Sequence, residues 1–334
     1  MRLKELLRTG ISQFIVRGGL SAAGRKLFPN KGALILVGHR VQDDDEGGLQ
    51  GLRPDWLAEQ LEYLSRNYQF LSLSCLADHF ERGQPIPSNS VVITFDDGFR
   101  DNFVNAFPLL RKFHVPATVF LVTGCLSSGE LPWPQKTGYL FQTTTAGTFC
   151  HETTGGRELS LRTSENRDLA RGIVWKHLER LSRIDRERCL EELGDILQVE
   201  YPLDRMLTWD QVETMRQGGI EFGAHTFSHP LMALQSLEEA RWEMETSLRD
   251  LQNRLGIDRP AFAFPGGSYS PELVKMAISV GFRSVFQSRR NLRVNTIDTV
   301  DQFSLSRVGL PNSPATILEA ELDGPLHTLR RIYR

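Results

Sequence analysis

The chain has 334 residues, 39 of them basic and 41 acidic, for a formal net charge of -2. That length suits one large α/β domain or two ordinary ones, and the near-neutral balance supplies no global field for nucleic acid, which argues against DNA or RNA as a partner. Hydrophobic residues at 40% and charged residues at 24% fit a soluble globular protein with a sizeable core, and no stretch reaches the ~18 apolar residues of a membrane span.

The first element is residues 1–30, where Arg2, Lys4, Arg8, Arg17, Arg25 and Lys26 stand among apolar residues. A secretory signal needs an unbroken apolar core of ~7–15 residues. The run Ile11–Val16 is short, interrupted by Ser12 and Gln13, and followed by Arg17, so no cleaved signal is expected. The segment reads either as a basic amphipathic helix resting on a membrane surface or as an ordinary helix packed on the domain. Cys75, Cys125, Cys150 and Cys189 form no CxxC pair and read as free thiols of a reducing compartment. The expected location is therefore cytoplasmic, or peripheral at the inner face of the membrane.

Residues 31–334 read as one domain. Near-continuous apolar runs mark strands at Ala33–Gly38, Val91–Phe95, Ala117–Val122, Ile220–Ala224, Ala261–Phe264, Arg283–Gln287 and Phe303–Val308, as expected of strands buried on both faces. Helical patterns fall at Pro54–Asn67, Asp101–Phe113, Thr208–Gln217, Leu237–Leu255 and Pro271–Val280. Pro54 and Pro271 suit first-turn positions, and Gly256 and Gly281 suit helix stops. The alternation predicts an α/β fold with a parallel sheet or barrel. Residues 124–207 break the rhythm. Gly124–Gly156 is rich in Gly, Thr, Ser and Pro, and Ser164–Val199 reads as one or two helices. Strands of the same pattern resume afterwards, so this is an insertion over one face of the barrel, of the length that carries function.

Polar residues gather at the downstream strand ends: His39, Asp96-Asp97-Gly98, His225, and Pro265-Gly266-Gly267. In a parallel barrel those ends converge on one mouth, where catalytic groups sit. His225 and His229 are four residues apart, a spacing that on a helical turn puts both imidazoles on one face. Two imidazoles and a carboxylate make a catalytic zinc-type ligand set with a position left for water. Asp-Gly is also an ordinary turn signal, and the two aspartates could merely cap the next helix. Adjacent like charges at the end of a buried strand are costly, however. A bound cation would compensate them and divide them into a ligand and a general base.

Thr94-Phe-Asp-Asp-Gly98, His225-Thr-Phe-Ser-His229 and Phe262-Ala-Phe-Pro-Gly-Gly267 resemble the first three motifs of the polysaccharide deacetylases, carbohydrate esterase family four. The resemblance covers about Ala33 to Pro311. It implies a distorted (β/α) barrel of about seven parallel strands, a divalent ion of zinc type, and removal of N-acetyl groups from amino sugars. It makes Asp96 the base and Asp97, His225 and His229 the metal ligands. The third motif departs from the family pattern: Ala263 stands at the usual Arg and Gly266 at the usual aromatic residue. Gly266, beside Pro265, keeps the backbone N–H the family uses for the oxyanion. Arg307 is the candidate replacement for the missing Arg, against the plain reading of a surface arginine.

The general acid is a choice between His327, in a late Leu-His that does not read as a buried strand, and His39. The latter resembles the early His of circularly permuted members acting on poly-N-acetylglucosamine, and is preferred over a strand-end histidine satisfied by backbone. The implied partner is an N-acetylated glycan or amino sugar: polymer, oligosaccharide, or lipid- or nucleotide-linked precursor. A non-sugar amide or ureide hydrolase with the same site, and a catalytically silent carbohydrate binder, are the alternatives. Trp133, Tyr139, Phe141 and Phe149 of the insertion read either as a stacking surface for sugar rings or as core.

Overall fold

The computed structural model describes residues 2–43, 51–288, 294–298 and 300–324. It contains ten strands in these residues: β1 Ala33–Gly38, β2 Gln69–Phe70, β3 Ser90–Phe95, β4 Ala117–Leu121, β5 Thr148–Phe149, β6 Leu159–Ser160, β7 Glu221–Ala224, β8 Ala261–Ala263, β9 Ser284–Ser288 and β10 Leu305–Gly309. Seven of them form a closed ring in the order β1, β10, β9, β8, β7, β4, β3, with β3 pairing back to β1 and every ring pairing parallel. The short β2 lies parallel to the first residues of β3 outside the ring. This is the distorted (β/α) barrel of about seven parallel strands that the family resemblance implies, built on the strands that the apolar runs predict.

Burial explains why those runs are strands. Every residue of β3 and β4 is buried, so neither face could be polar and the residues are apolar or β-branched in succession. The helices outside the ring carry one apolar side. Pro54–Asn67 buries Leu57, Leu61 and Leu64, and Leu237–Leu255 buries Met244, Leu248 and Leu251. Gly256 and Gly281 end their helices in the left-handed conformation, at φ 65° and 114°. Helix Asp101–Phe113 departs from the regular pattern. Asn102–Ala106 is a π-turn and the α-helix runs only from Phe107 to Lys112. Pro108 has no N–H to give to the preceding turn.

Register brings the polar strand ends together. Gly38 is level with Phe95, and the Asp96 N–H donates to the Gly38 carbonyl (2.9 Å), so His39 and Asp96 leave adjacent strands side by side. The His225 N–H donates to Leu121 (2.8 Å) at the top of β4. On β10, Arg307 is level with Ser288 of β9.

The insertion has its own apolar cluster. Helices Trp133–Thr143, Ser164–Leu178 and Arg183–Leu197 surround Leu140, Val174 and Leu190, with the β5–β6 hairpin at one side. Trp133, Phe141 and Phe149 are at most 2% exposed. They are core and offer no stacking face to a sugar; Tyr139 alone of the four is half-buried. Residues 2–27 form two helices, Arg2–Arg17 and Leu20–Leu27, packed against the last described helix, Ala315–Asp323. There the buried Asp323 carboxylate accepts from Arg25 Nη1 (2.7 Å), from Tyr68 Oη (2.8 Å) and from Tyr63.

Candidate active site

Asp96 and Asp97 follow β3 directly and are both buried. Asp97 has φ 75°, in the left-handed region that costs a non-glycine residue about 1–3 kcal/mol. Such strain persists where the surroundings over-determine it, and here they do. Asp97 Oδ1 lies 3.3 Å from His229 Nε2 and 3.5 Å from His225 Nε2. One ligand atom from each of the three residues lies within 4.8 Å of the others, and all three side chains are buried. That Asp97 oxygen has no hydrogen-bond partner, although it is a buried anion facing two imidazoles. Buried polar atoms are almost always satisfied, so a carboxylate oxygen orphaned between two imidazole nitrogens suits a cation. The donor set of two nitrogens and one oxygen is that of a divalent metal centre with room for further ligands.

The histidines do not lie on a helical turn, as their spacing suggests. They flank a loop in which Thr226 (φ 67°) and His229 (φ 63°) are left-handed. The loop is shaped by side chains that offer its backbone better partners than a helix would. Thr226 Oγ1 accepts from the His229 N–H (2.9 Å). Glu243, from helix Leu237–Leu255, accepts from the N–H groups of Phe227 and Ser228 (both 2.8 Å) and from the Ser228 hydroxyl. Trp133 of the insertion donates its indole N–H to the His229 carbonyl (2.8 Å). The Thr226 and Phe227 carbonyls accept from the Thr123 and Gly124 N–H groups. A Cβ on Gly124 would stand 2.6 Å from the Phe227 oxygen, so only glycine permits that approach.

The imidazole of His225 is oriented by the third motif. Its Nδ1 lies 2.8 Å from the Ala263 carbonyl, which can only accept. Nδ1 therefore carries the hydrogen, and Nε2 keeps its lone pair for an ion. Burial pushes His225 down to about 4, with the neighbouring Asp96 opposing, so the imidazole is neutral at neutral pH. Burial also works against the Asp97 charge, but His229, His39 and His225 outweigh it and hold the carboxyl well below the usual range.

Arg307 is not a surface side chain. It is 4% exposed and grips Asp96 through two parallel bonds of 2.6 Å, Nη1 to Oδ1 and Nη2 to Oδ2. Its guanidinium packs against the edge-to-face pair of Phe120 and Phe286, with its central carbon 5.3 and 5.5 Å from their centroids. A bidentate fork backed by two aromatic rings fixes direction as well as charge. Burial raises the cost of ionising Asp96, but Arg307 and His225 more than offset it and its carboxyl titrates below the usual value.

His39 is exposed at the barrel mouth and lines a cleft of about 400 Å³ with Leu52, Phe99, Gln135 and Leu310. Its backbone is held from behind: Asn102 Nδ2 donates to the His39 carbonyl (2.8 Å), and Arg40 pairs with Asp101 (2.9 Å). His39 lies close enough to favour the ionised forms of Asp96 and Asp97. Pro265 is buried, and Gly266 sits in the 3-10 turn Pro265–Gly267 at φ 58°, where a Cβ would meet Leu231 at 2.9 Å. The left-handed backbone favours glycine at this place, and a Cβ would displace the end of Leu231. His327 lies outside the described residues.

Three contributors escape a reading of the sequence. Gln135 donates to Asp97 Oδ2 (3.3 Å), Trp133 pins the His229 carbonyl, and Glu243 ties the loop. Only Glu243 left a signal, a carboxylate at helical spacing with Ala240, Met244 and Ser247 on a buried face.

The sequence profile of the polysaccharide deacetylases matches residues 83–285. The chain belongs to the polysaccharide deacetylase family. The matched span contains Asp96, Asp97, His225, His229, Pro265 and Gly266, and leaves out His39 and Arg307. Over 92 residues the chain is 33% identical to poly-beta-1,6-N-acetyl-D-glucosamine N-deacetylase of Escherichia coli strain K12, covering 27% of this chain and 14% of that one. Over 70 residues it is 40% identical to the protein of the same name from Staphylococcus epidermidis, covering 21% and 24%. The chain thus matches less than a quarter of the length of these relatives. In fold it is similar to the Streptococcus pyogenes deacetylase PplD solved with acetate (TM-score 0.57, 19% identity, 87% of this chain and 96% of that one). It is equally similar to IcaB from Ammonifex degensii (TM-score 0.57, 18% identity, 88% and 97%).

Proposed function

We propose that this chain is a metal-dependent hydrolase that removes N-acetyl groups from N-acetylated amino sugars. The observation that carries the proposal is the buried Asp97–His225–His229 cluster set beside a carboxylate, Asp96, that Arg307 keeps ionised. Family membership and the printed names of the relatives support the sugar substrate. Asp97, His225 and His229 would hold the ion, and their nitrogen and oxygen donors favour zinc. A bound divalent ion supplies polarisation of the acetamide carbonyl and acidification of the attacking water.

The remaining chemistry falls to the chain's own residues. Asp96 accepts the proton of the attacking water. Arg307 occupies one lone pair on each Asp96 oxygen and leaves a second, and Oδ2 lies 3.9 Å from His225 Nε2, on the side of the ligand cluster. As the C–O bond forms, the Gly266 N–H stabilises the oxyanion, with Pro265 fixing the turn that presents it. The C–N bond then breaks. His39, at the open side of the cleft, gives a proton to the departing amine, and acetate leaves.

Acetate release from N-acetylglucosamine oligomers, with and without chelator, tests this reading. Chelator-sensitive release is expected. Turnover of simple amides or ureides without acetate release, or sugar binding without turnover, would overturn it.

A further inference from the structure

Over residues 9–27, helices Arg2–Arg17 and Leu20–Leu27 turn their largest apolar side chains outward. A helix lying on a soluble domain normally buries its apolar side and shows its polar one. Here the fully buried positions are Ser12, Ser21 and Gly24, with Ile15 and Val16 half-buried. Ser21 donates to Glu319 (2.5 Å), and Arg25 reaches Asp323 (2.7 Å), both on the helix beneath. Outward, beside Gln13, Arg17 and Lys26, stand Ile11 at 59% exposed, Phe14 at 73%, Leu20 at 45% and Leu27 at 70%. Ile11 and Phe14 are three residues apart, and Leu20 and Leu27 seven, so each pair shares one side of its own helix. Of the fourteen exposed large apolar side chains among the described residues, five fall between Ile11 and Phe28. Isolated surface hydrophobics are ordinary, but a cluster on one helix pair marks a contact.

Charge selects the partner. Residues 1–30 carry six Arg and Lys and one acid, Glu5, in a chain whose net charge is -2. Arg17 and Lys26 are exposed close in sequence to Phe14 and Leu27. Apolar side chains flanked by cations suit an interface with an apolar interior and an anionic rim. Pairing with a second copy would set the same cations against one another. No helix among the described residues is long and apolar enough to cross a membrane, so the contact would be with a surface.

We propose that the outer face of the two N-terminal helices docks on an anionic lipid bilayer. The inference does not depend on the reaction at the barrel mouth. The test is cosedimentation of the full chain with vesicles of phosphatidylcholine alone, or with about a third phosphatidylglycerol. Binding is expected to the anionic vesicles only, and to fall as salt rises from about 0.1 M to 1 M. Phe14→Asp with Leu27→Asp, and separately Arg17→Glu with Lys26→Glu, should each weaken partitioning at least roughly tenfold. Thermal midpoint and acetate release from soluble oligomers should stay unchanged. Wild-type protein remaining in the supernatant with anionic vesicles overturns the proposal, as does equal binding by the Phe14→Asp, Leu27→Asp variant. A dimer that this variant dissolves, without vesicle binding by either protein, would assign the face to a second copy and also overturn it.

Discussion

Asp96 and Asp97 are neighbours in the chain with different partners, and substitution should separate them. Asp97→Ala removes the oxygen that His225 and His229 both face, so the purified protein should lose its metal by elemental analysis. Asp96→Asn should keep the metal and lose about 10²–10⁴-fold in turnover, the usual weight of a general base. Full turnover in Asp96→Asn would remove it from the mechanism. Arg307→Ala takes away the cation that holds the Asp96 carboxyl low, so that carboxyl should titrate higher. The acid limb of the pH–rate profile should then move up, with a loss of at least about tenfold near pH 6. Arg307→Lys keeps the charge without the fork and should restore only part of the activity. Acid should also weaken the metal-free fold. His225 titrates near 4 when folded and near its ordinary 6.5 when unfolded, so the unfolded chain binds more protons between those values and stability falls with pH across that window. Asp96 and Asp97, both depressed, extend the loss below about pH 4. Urea midpoints of chelator-treated protein should fall from pH 7 to 4.5, and His225→Gln should flatten that slope.

At the scale of elements, the His225–His229 loop depends on groups that are not ligands. Glu243→Gln leaves volume unchanged but turns an acceptor-only group, receiving three donors, into a partial donor. Metal affinity should fall about 10–100-fold, as when partners of metal ligands are lost, while circular dichroism remains native. The barrel strands were legible from their apolar runs, clearest in β3 and β4, which are buried throughout, and less so in β9 and β10, which carry Gln287 and Arg307. Pro54–Asn67, Leu237–Leu255 and Pro271–Val280 were legible because each has an apolar stripe and an end signal: Pro54, Gly256, and Pro271 with Gly281. Helices Leu73–Glu81, Thr123–Ser128 and Trp133–Thr143 were not. Thr123–Ser128 and Trp133–Thr143 are broken up by Ser, Gly and Thr, and Leu73–Glu81, although it buries Leu73, Leu76 and Ala77, has neither Pro at its start nor Gly directly at its end. Strand ends and spacing singled out Asp96, Asp97, His225 and His229, while the division into Asp97 as ligand and Asp96 as base was implied by the family resemblance. The loop geometry was not readable, since His225 and His229 at helical spacing are held in a non-helical path by Glu243 and Trp133. Arg307 was legible as the candidate replacement for the missing Arg of the third motif, but its pairing with Asp96 was not. Its partner is 211 positions away, and no local pattern encodes that pairing.

On the scale of the whole molecule, the N-terminal helices and the last described helix are fastened together. The buried Asp323 binds Arg25 of the second helix and Tyr63 and Tyr68 of the barrel layer. Asp323→Ala leaves a half-buried guanidinium and two hydroxyls without their acceptor, a change that costs about 3–5 kcal/mol when a buried ion pair is broken. The variant should melt earlier, and limited proteolysis should cut between residues 18 and 32 where wild type resists. The insertion is fastened to the barrel differently, through Trp133 on His229 and Gln135 on Asp97, so its first helix touches the ligand cluster directly. Arg307 adds an order in time. The strand that carries it is the last ring strand in the chain, and it closes the barrel against β1. During synthesis the ligand cluster can assemble once residue 263, whose carbonyl orients His225, has left the ribosome, yet Asp96 stays without its cation until roughly forty further residues have emerged and the closing strand has docked. A nascent or C-terminally clipped chain would therefore capture metal before it can turn over substrate, and activity reports that translation reached the end of the ring.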